Sequence, residues 1–238
     1  MRVNKFLAQA GLGSRRKCDT LIKDRLIKVN GEVITDFSQQ ISSSDIVQYK
    51  NRLIELESNL KYYILNKPRG FICSNNDPQK RKTIYNIMPN DVRIFSIGRL
   101  DYNTSGLILL TNDGDFSNFL CHPKNKILKK YYVETKSSIT QKDIAIIKNG
   151  IVLENKDKVK AHIVSTGYIK TKYTWDVHLT EGKNREIKRI FSHFDVMVTM
   201  IHRYEFAGIN IGKIKSGKHK LLNHNIIKSI KLKYGYKK

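Results

Sequence analysis

Hydrophobic spacing near the N-terminus predicts two short helices. Apolar side chains recur at Val3, Phe6, Leu7 and Ala10, the three- and four-residue spacing of a helix with one buried face. A second apolar-periodic segment follows Ser14, whose hydroxyl is expected to cap it. Three basic residues come directly after this serine. Because cations in a first helical turn oppose the helix dipole, they serve something other than helix stability.

Short apolar segments after these helices predict strands. Residues 26–29 and 32–34 flank Asn30-Gly31, a dipeptide that favours a tight β-hairpin. Residues 45–49 offer a further short strand. The first part of the chain is therefore predicted to be two helices followed by a small antiparallel sheet.

A polar stretch at residues 50–60 separates this part from the rest. Domain boundaries commonly fall in such linkers, so we predict a first domain at residues 1–57 and a second at residues 58–238. Extended segments predominate in the second domain. One of them ends at Asn66-Lys67-Pro68-Arg69-Gly70, a turn dictated by proline and glycine.

A carboxylate lies just ahead of the most apolar strand. Residues 98–106 read Gly-Arg-Leu-Asp-Tyr-Asn-Thr-Ser-Gly and lead into the apolar run at residues 107–110. A polar, glycine-flanked loop before a short apolar run places Asp101 at the rim of a sheet, where a reactive group is accessible. The competing interpretation is an ordinary turn or capping aspartate, the commonest use of aspartate in loops.

The net charge of the chain indicates which class of partner it binds. The chain of 238 residues has 44 Lys plus Arg against 21 Asp plus Glu, a formal net charge of +23. A field of that sign attracts polyanions, and nucleic acid is the commonest such partner of a compact basic protein. The alternative is that a Lys-, Asn- and Ile-rich composition reflects the base composition of the genome.

Other patterns exclude several classes of protein. No apolar run approaches the roughly 18 residues of a membrane span. Cys18, Cys73 and Cys121 are widely spaced, which favours reduced thiols over a disulfide or a zinc site. With no secretory signal core at the start, we expect a soluble cytoplasmic protein. No dinucleotide or phosphate-loop fingerprint is present, so we expect no metal and no cofactor.

The loop that contains Asp101 resembles a family signature. Gly-Arg-Leu-Asp-x-x-Thr-Ser-Gly-Leu, followed by Leu-Thr-Asn-Asp-Gly, is similar to the motif of the pseudouridine synthases that modify ribosomal RNA, in the branch that carries an S4 domain. That resemblance implies that Asp101 is the catalytic nucleophile. It leaves open whether the carboxylate attacks the ribose or the base.

The N-terminal part resembles the S4 RNA-binding domain across residues 2–49. Gly13-Ser-Arg-Arg-Lys and Lys28-Val-Asn-Gly-Glu carry the match. The resemblance implies that the following residues face the RNA backbone: Ser14, Arg15, Arg16 and Lys28. The alternative interpretation, without the resemblance, is that these side chains form a solvated face.

Two further motifs complete the resemblance. Lys129-x-Tyr131-x-Val133 matches a motif whose tyrosine stacks on the target base; by pattern alone Tyr131 is a strand aromatic. In Thr-Glu-Gly-Lys-Asn-Arg-Glu-Ile-Lys, the residue at Lys188 is expected to pair with the catalytic aspartate; by pattern alone this is an amphipathic surface helix. Arg99 and Arg185 are expected to contact RNA, with Arg99 holding a phosphate or the loop.

The resemblance implies an α+β fold: a small S4 domain, then a catalytic domain built on a mostly antiparallel sheet flanked by helices. It implies isomerisation of uridine in ribosomal RNA, either free or in an assembly particle. We expect a monomer that uses no cofactor. Arg185-Glu186, where many relatives have His-Gln, resembles the large-subunit (23S) enzymes. The alternatives are a small-subunit (16S) enzyme and a noncatalytic RNA-binding or ribosome-assembly protein; a DNA-binding module is weaker, since no recognition helix stands out.

Overall fold

The computed structural model describes residues 1–75, 77–154 and 156–236. They form two compact units, each described by itself below. The first unit comprises residues 1–61, 90–94 and 112–114, and the second comprises the described residues within 62–89, 95–111 and 115–236. The predicted domain boundary between residues 57 and 58 stays a prediction.

The first unit contains two helices and a small antiparallel sheet. The helices are α1 (Val3–Gln9) and α2 (Arg15–Lys23). The strands are β1 (Ile27–Val29), β2 (Glu32–Val33), β3 (Val47–Tyr49) and β4 (Arg52–Leu53), in the order β2-β1-β3-β4. These elements confirm the two predicted helices and the hairpin.

Local sequence accounts for this unit. Ser14 caps α2 by accepting a hydrogen bond from Lys17 N at 3.2 Å. Asn30 and Gly31 both have positive φ, at 52° and 86°, as a two-residue hairpin turn of this type requires. Buried apolar side chains from the two helices and from β1 and β3 share one hydrophobic core.

The second unit is built on a larger sheet. The strands of this unit are β5 (Tyr62–Lys67), β6 (Phe95–Ser96), β7 (Ser105–Thr111), β8 (Lys129–Thr135), β9 (Ile151–Val152), β10 (Lys158–Val159), β11 (His162–Ile169), β12 (Lys172–Leu179), β13 (Val198–Phe206), β14 (Ile209–Asn210) and β15 (His219–Leu221). Of these, β9 and β10 pair with each other in a separate two-stranded sheet. The remaining helices are α3 (Gly114–Cys121), α4 (Gln141–Asn149), α5 (Glu186–Ser192) and α6 (His224–Lys233). Short 3₁₀ turns occur at Ile84–Ile87 and Pro123–Asn125.

The main sheet has the strand order β11-β12-β8-β13-β7-β5-β15, with β14 added to β13 and β6 to β7. Its described pairings are antiparallel except the parallel pair of β13 and β7. Every residue of β5, and every residue of β7 after Ser105, is buried. The structure therefore confirms the predicted α+β class and the mostly antiparallel sheet.

A glycine permits the parallel contact between β13 and β7. Gly106 has φ +107°, and a Cβ there would lie 2.2 Å from the main-chain oxygen of Arg203. Real Cβ atoms do not approach so closely, and positive φ is unfavourable for a side-chain residue. Glycine thus lets the end of the Asp101 loop lie directly against β13.

Within the described residues, no helix is long and apolar enough to cross a bilayer.

Candidate active site

A cavity of about 810 Å³ opens within the second unit. Its walls come from residues 97–104, from β8 and β13, and from the segment at residues 179–188 that leads into α5. Ligand sites commonly have volumes of about 300–1,000 Å³. The cavity is therefore large enough for a nucleotide.

Asp101 lies on the rim of this cavity, in the turn that leads into β7. The turn is closed by Thr104 N, which donates to the main-chain oxygen of Asp101 at 3.0 Å. The residue is half-buried. Among the described residues, no hydrogen bond or ion pair engages its carboxylate. That carboxylate is therefore available to a ligand in the cavity.

A buried lysine holds the Asp101 turn from behind. Lys67, at the end of β5, is fully buried. Its Nζ donates to the main-chain oxygens of Thr104 at 2.8 Å, Pro68 at 3.0 Å and Asp101 at 3.1 Å, with a longer contact of 3.4 Å to that of Tyr102. Three carbonyls of the Asp101 turn, together with that of the neighbouring Pro68, thus converge on one ammonium group, which fixes the turn against the sheet.

Burial lowers the pKa of Lys67 from 10.5 to about 8, and the negative charge of Asp101 is among the effects that oppose this shift. Burial disfavours the charged form of an amine because charge is better solvated by water. With a pKa of about 8, the group is still mainly protonated at neutral pH and retains its donors.

Tyr131 lies on β8 and lines the cavity with 7% of its surface exposed. Alternation along the strand places Lys129 on the same face, while Tyr132 belongs to the other. Tyr131 pairs directly with Arg203 on β13 and with Val177 on β12. The ring therefore forms part of a rigid floor and not of a mobile loop.

Lys188 lies on α5, is half-buried and lines the same cavity. No ion pair within 4.0 Å joins it to Asp101 in the described part of the chain. Arg99 and Arg185 are exposed and also line the cavity; Arg185 precedes α5 in the left-handed conformation, with φ 50°. The predicted pairing of Lys188 with Asp101 stays a prediction.

The structure brings five of the predicted site residues to this cavity: Asp101, Tyr131, Lys188, Arg99 and Arg185. The other four belong to the first unit. There Ser14 caps α2, Arg15 and Arg16 are exposed on the helix it starts, and Lys28 is half-buried on β1. Exposure of the two arginines is compatible with RNA binding, and their role stays a prediction.

Sequence reasoning missed a charged cluster in the cavity. Arg203 is 3% exposed; its Nε donates to Leu107 O at 2.7 Å, and its guanidinium carbon lies 4.8 Å from the centroid of Phe206. Glu186 is 4% exposed, and its Oε2 accepts from Lys183 N at 2.9 Å. Alternation along β13 puts Arg203 on the same buried face as Ile201, but it does not distinguish this arginine from any other strand arginine.

Lys129 lies between these charges. Burial, followed by the positive charge of Arg203, lowers the pKa of Lys129 from 10.5 to about 8, and negative groups that include Glu186 oppose this shift. Burial is also the main cause that raises the pKa of Glu186. The cavity therefore contains charges that are poorly solvated and ready to engage a ligand.

The side chains that line the cavity define the chemistry of this candidate site. Within residues 1–75, 77–154 and 156–236, no group of three or more His, Cys, Asp or Glu side chains is arranged to hold a metal ion. Its chemistry is that of one available carboxylate, an aromatic floor and several cations.

Comparison with known proteins identifies this arrangement. The family model described as RNA pseudouridylate synthase matches residues 61–193, and the S4 domain model matches residues 1–47. The chain belongs to the RNA pseudouridylate synthase family. It is thus an isomerase with an N-terminal S4 RNA-binding domain, which confirms the predicted enzyme class, the fold and the interaction with RNA.

Similar proteins match along most of their length. The chain is 36% identical over 233 residues to the ribosomal large subunit pseudouridine synthase B of Bacillus subtilis, covering 97% of this chain and 95% of that protein. It is 35% identical over 213 residues to the ribosomal small subunit pseudouridine synthase A of Pseudomonas aeruginosa, covering 88% and 90%. A crystal structure of a pseudouridylate synthase aligns with a TM-score of 0.69 and 28% identity, covering 97% of this chain and 99% of the other.

Proposed function

We propose that this pseudouridine synthase isomerises a uridine of ribosomal RNA, that its target lies in 23S RNA of the large subunit, and that Asp101 is the nucleophile. The observation that carries the proposal is an unengaged carboxylate on a fixed turn, at the rim of the cavity that has Tyr131 in its floor. A nucleophile must be accessible and held in place, and this one is both.

The reaction moves one bond and one proton. The bond between ribose C1′ and uracil N1 breaks, the base rotates, and C1′ bonds to C5; C5 loses a proton and N1 gains one. Asp101 is proposed to form the transient covalent bond, at C1′ or at the base. No electrons are exchanged with a cofactor in this sequence of steps.

The cavity residues take distinct parts in this proposal. The target uridine must leave its stack to enter the cavity, and Tyr131 stacks on its base. Such contacts contribute about 1–3 kcal/mol per base. Lys188 is proposed to orient the Asp101 carboxylate once RNA is bound, and Arg99 and Arg185 to hold phosphates beside the cavity.

The S4 domain is proposed to bind the surrounding RNA through Ser14, Arg15, Arg16 and Lys28. Contacts to phosphates position a protein without reading sequence, so the shape of the folded RNA selects the uridine. We further propose that the enzyme acts in the cytoplasm as a monomer, on free RNA or an assembly particle, with residues 1–57 and 58–238 as its working domains.

Two observations support the large subunit as target. The dipeptide Arg185-Glu186, at the start of α5, resembles the large-subunit enzymes. The Bacillus relative, which is named for the large subunit, also matches a greater share of both chains than the Pseudomonas relative, which is named for the small subunit. The test is to incubate the protein with unmodified 16S and 23S RNA, free and in precursor particles, and to map pseudouridine chemically. A new site in 23S RNA is expected; a site in 16S RNA alone would contradict the target.

A further inference from the structure

Two buried polar atoms, on side chains that line the cavity, lack a hydrogen-bond partner among the described residues. They are Nη2 of Arg203, a donor, and Oε1 of Glu186, an acceptor. Both side chains line the cavity, and they are only 3% and 4% exposed. Buried polar atoms are nearly always paired in native proteins, so an unpaired donor and an unpaired acceptor in one cavity call for a ligand.

Each side chain is anchored through its other atoms. Arg203 donates from Nε to Leu107 O at 2.7 Å, and Glu186 accepts at Oε2 from Lys183 N at 2.9 Å. One end of each group is thus hydrogen-bonded within the fold, while the other end is buried without a partner among the described residues. Groups held in this way recognise a ligand with little loss of conformational freedom.

Arg203 and Glu186 line the same cavity as Tyr131, on whose ring the base is proposed to stack. Arg203 is the direct cross-strand partner of Tyr131, and such partners have Cβ atoms about 4.5–5.5 Å apart. Lys129, two residues before Tyr131 on the same face of β8, lies within electrostatic range of both Arg203 and Glu186. Arg203 and Glu186 therefore both lie near the part of β8 that carries Lys129 and Tyr131.

The pair of atoms restricts the chemistry of the ligand. The carboxylate of Glu186 repels a phosphate, and Arg203 together with Lys129 repels a cation. An apolar group would leave both free atoms unpaired. A neutral, flat group that presents a donor next to an acceptor satisfies both atoms, and the imide edge of uracil is such a group.

We propose that Glu186 Oε1 accepts the N3–H of the extruded uracil, while Arg203 Nη2 donates to a neighbouring carbonyl oxygen. This inference deepens the proposed function, on which it rests, by naming the residues that distinguish uracil from other bases. Cytosine carries an acceptor at N3 and meets the Glu186 carboxylate with repulsion. Recognition through the Watson–Crick edge is typical of enzymes that extrude a base.

The test measures binding and not turnover. The intact protein is titrated, with NMR detection, with uridine 5′-monophosphate and with its N3-methyl derivative, which lacks the donor. Loss of a hydrogen bond to a buried charged group weakens affinity by about tenfold or more, and that difference is expected for the wild type. Equal affinity of the two nucleotides would overturn the proposal without recourse to any variant.

A variant tests the residue. In Glu186→Gln the side-chain oxygen is still needed by Lys183 N–H, so the amide NH₂ turns toward the cavity as a donor. The preference for the unmethylated nucleotide is expected to vanish, and cytidine 5′-monophosphate is expected to gain affinity relative to the uridine nucleotide. Glu181→Gln, at a nearby carboxylate paired with Lys183 Nζ at 2.9 Å, is expected to leave both ratios unchanged. An unchanged ratio in Glu186→Gln would overturn the assignment.

The two proposals fail separately. A protein that discriminates the nucleotides but forms no pseudouridine in RNA would contradict the proposed function and retain the role of Glu186. A protein that forms pseudouridine but binds both nucleotides equally would contradict the role of Glu186 and retain the proposed function. Asp101→Asn is expected to retain the discrimination, because its carboxylate takes no part in reading N3–H.

Discussion

Replacing Lys67 by methionine tests whether the buried ammonium organises the Asp101 turn. Methionine fills a similar volume but withdraws a charged donor from the carbonyls of Thr104, Pro68 and Asp101. Misplacing a reacting group by about 1 Å lowers a rate by about 100-fold. We therefore expect kcat for pseudouridine formation to fall by about 100-fold or more in Lys67→Met.

The same substitution is expected to change the free energy of unfolding only modestly, because two opposing contributions largely cancel. Hydrogen bonds from a charged donor are worth about 1.5–3 kcal/mol each, and the two shortest contacts of Lys67 are 2.8 and 3.0 Å. Against this loss, the variant no longer buries a charge whose pKa is lowered from 10.5 to about 8, a shift that corresponds to about 3 kcal/mol. At neutral pH the free energy of unfolding is therefore expected to fall by only about 0–3 kcal/mol.

The lowered pKa of Lys67 also predicts the direction in which stability changes with pH. Between pH 8 and 10.5 the unfolded chain holds the Lys67 proton and the folded chain does not, so the unfolded state binds more protons and folding becomes more favourable as pH rises. The free energy of unfolding of the wild type relative to Lys67→Met is expected to rise by about 3 kcal/mol across that window. Taking the difference between the two proteins cancels the contribution of Lys129.

Initial rates on target RNA measure the expected fall in kcat. Urea unfolding at a series of pH values measures the expected change in the free energy of unfolding. Lys142→Met, at an exposed lysine of α4, is the matched control and is expected to change neither quantity. A Lys67→Met enzyme with wild-type kcat would refute the reasoning, as would a stability difference that is flat from pH 8 to 10.5.

Three further predictions follow from other contacts. Gly106→Ala is expected to lower the free energy of unfolding by more than about 3 kcal/mol, because strain and overpacking act together; Gly167→Ala, where φ is also positive but nothing lies within 4 Å, is expected to cost about 1 kcal/mol in the same urea experiment. Tyr131→Leu is expected to lower kcat/KM about 5- to 150-fold through lost stacking, and Tyr131→Phe to retain most of it. Arg15→Ala combined with Arg16→Ala is expected to reduce the slope of log Kd for RNA against log salt by about two, as filter-binding titrations would show.

Local signals explain what the sequence could predict. The cap at Ser14 and the Asn30-Gly31 turn act through neighbouring atoms, so α2 and the first hairpin are visible in the residues themselves. The Asp101 turn and the strand alternation at Tyr131 are equally local, and both residues line the cavity.

Long-range contacts explain what the sequence could not predict. Lys67 stands between an asparagine and a proline in a polar turn, as an exposed lysine would; its burial depends on carbonyls up to 37 residues away. Arg203 resembles any strand arginine, yet it reaches Leu107 across a separation of 96 residues. Its position depends on the parallel contact of β13 with β7, which no local pattern indicates.

The most direct test of the central claim compares wild-type protein with Asp101→Asn by chemical mapping of pseudouridine in ribosomal RNA. The matched control is Asp195→Asn, at an exposed aspartate with φ 58°, a conformation that asparagine adopts readily. The account predicts one new pseudouridine with the wild type and with Asp195→Asn, and none with Asp101→Asn, although all three proteins bind the RNA equally. Pseudouridine formed by Asp101→Asn at the wild-type rate would contradict the role of Asp101 as nucleophile.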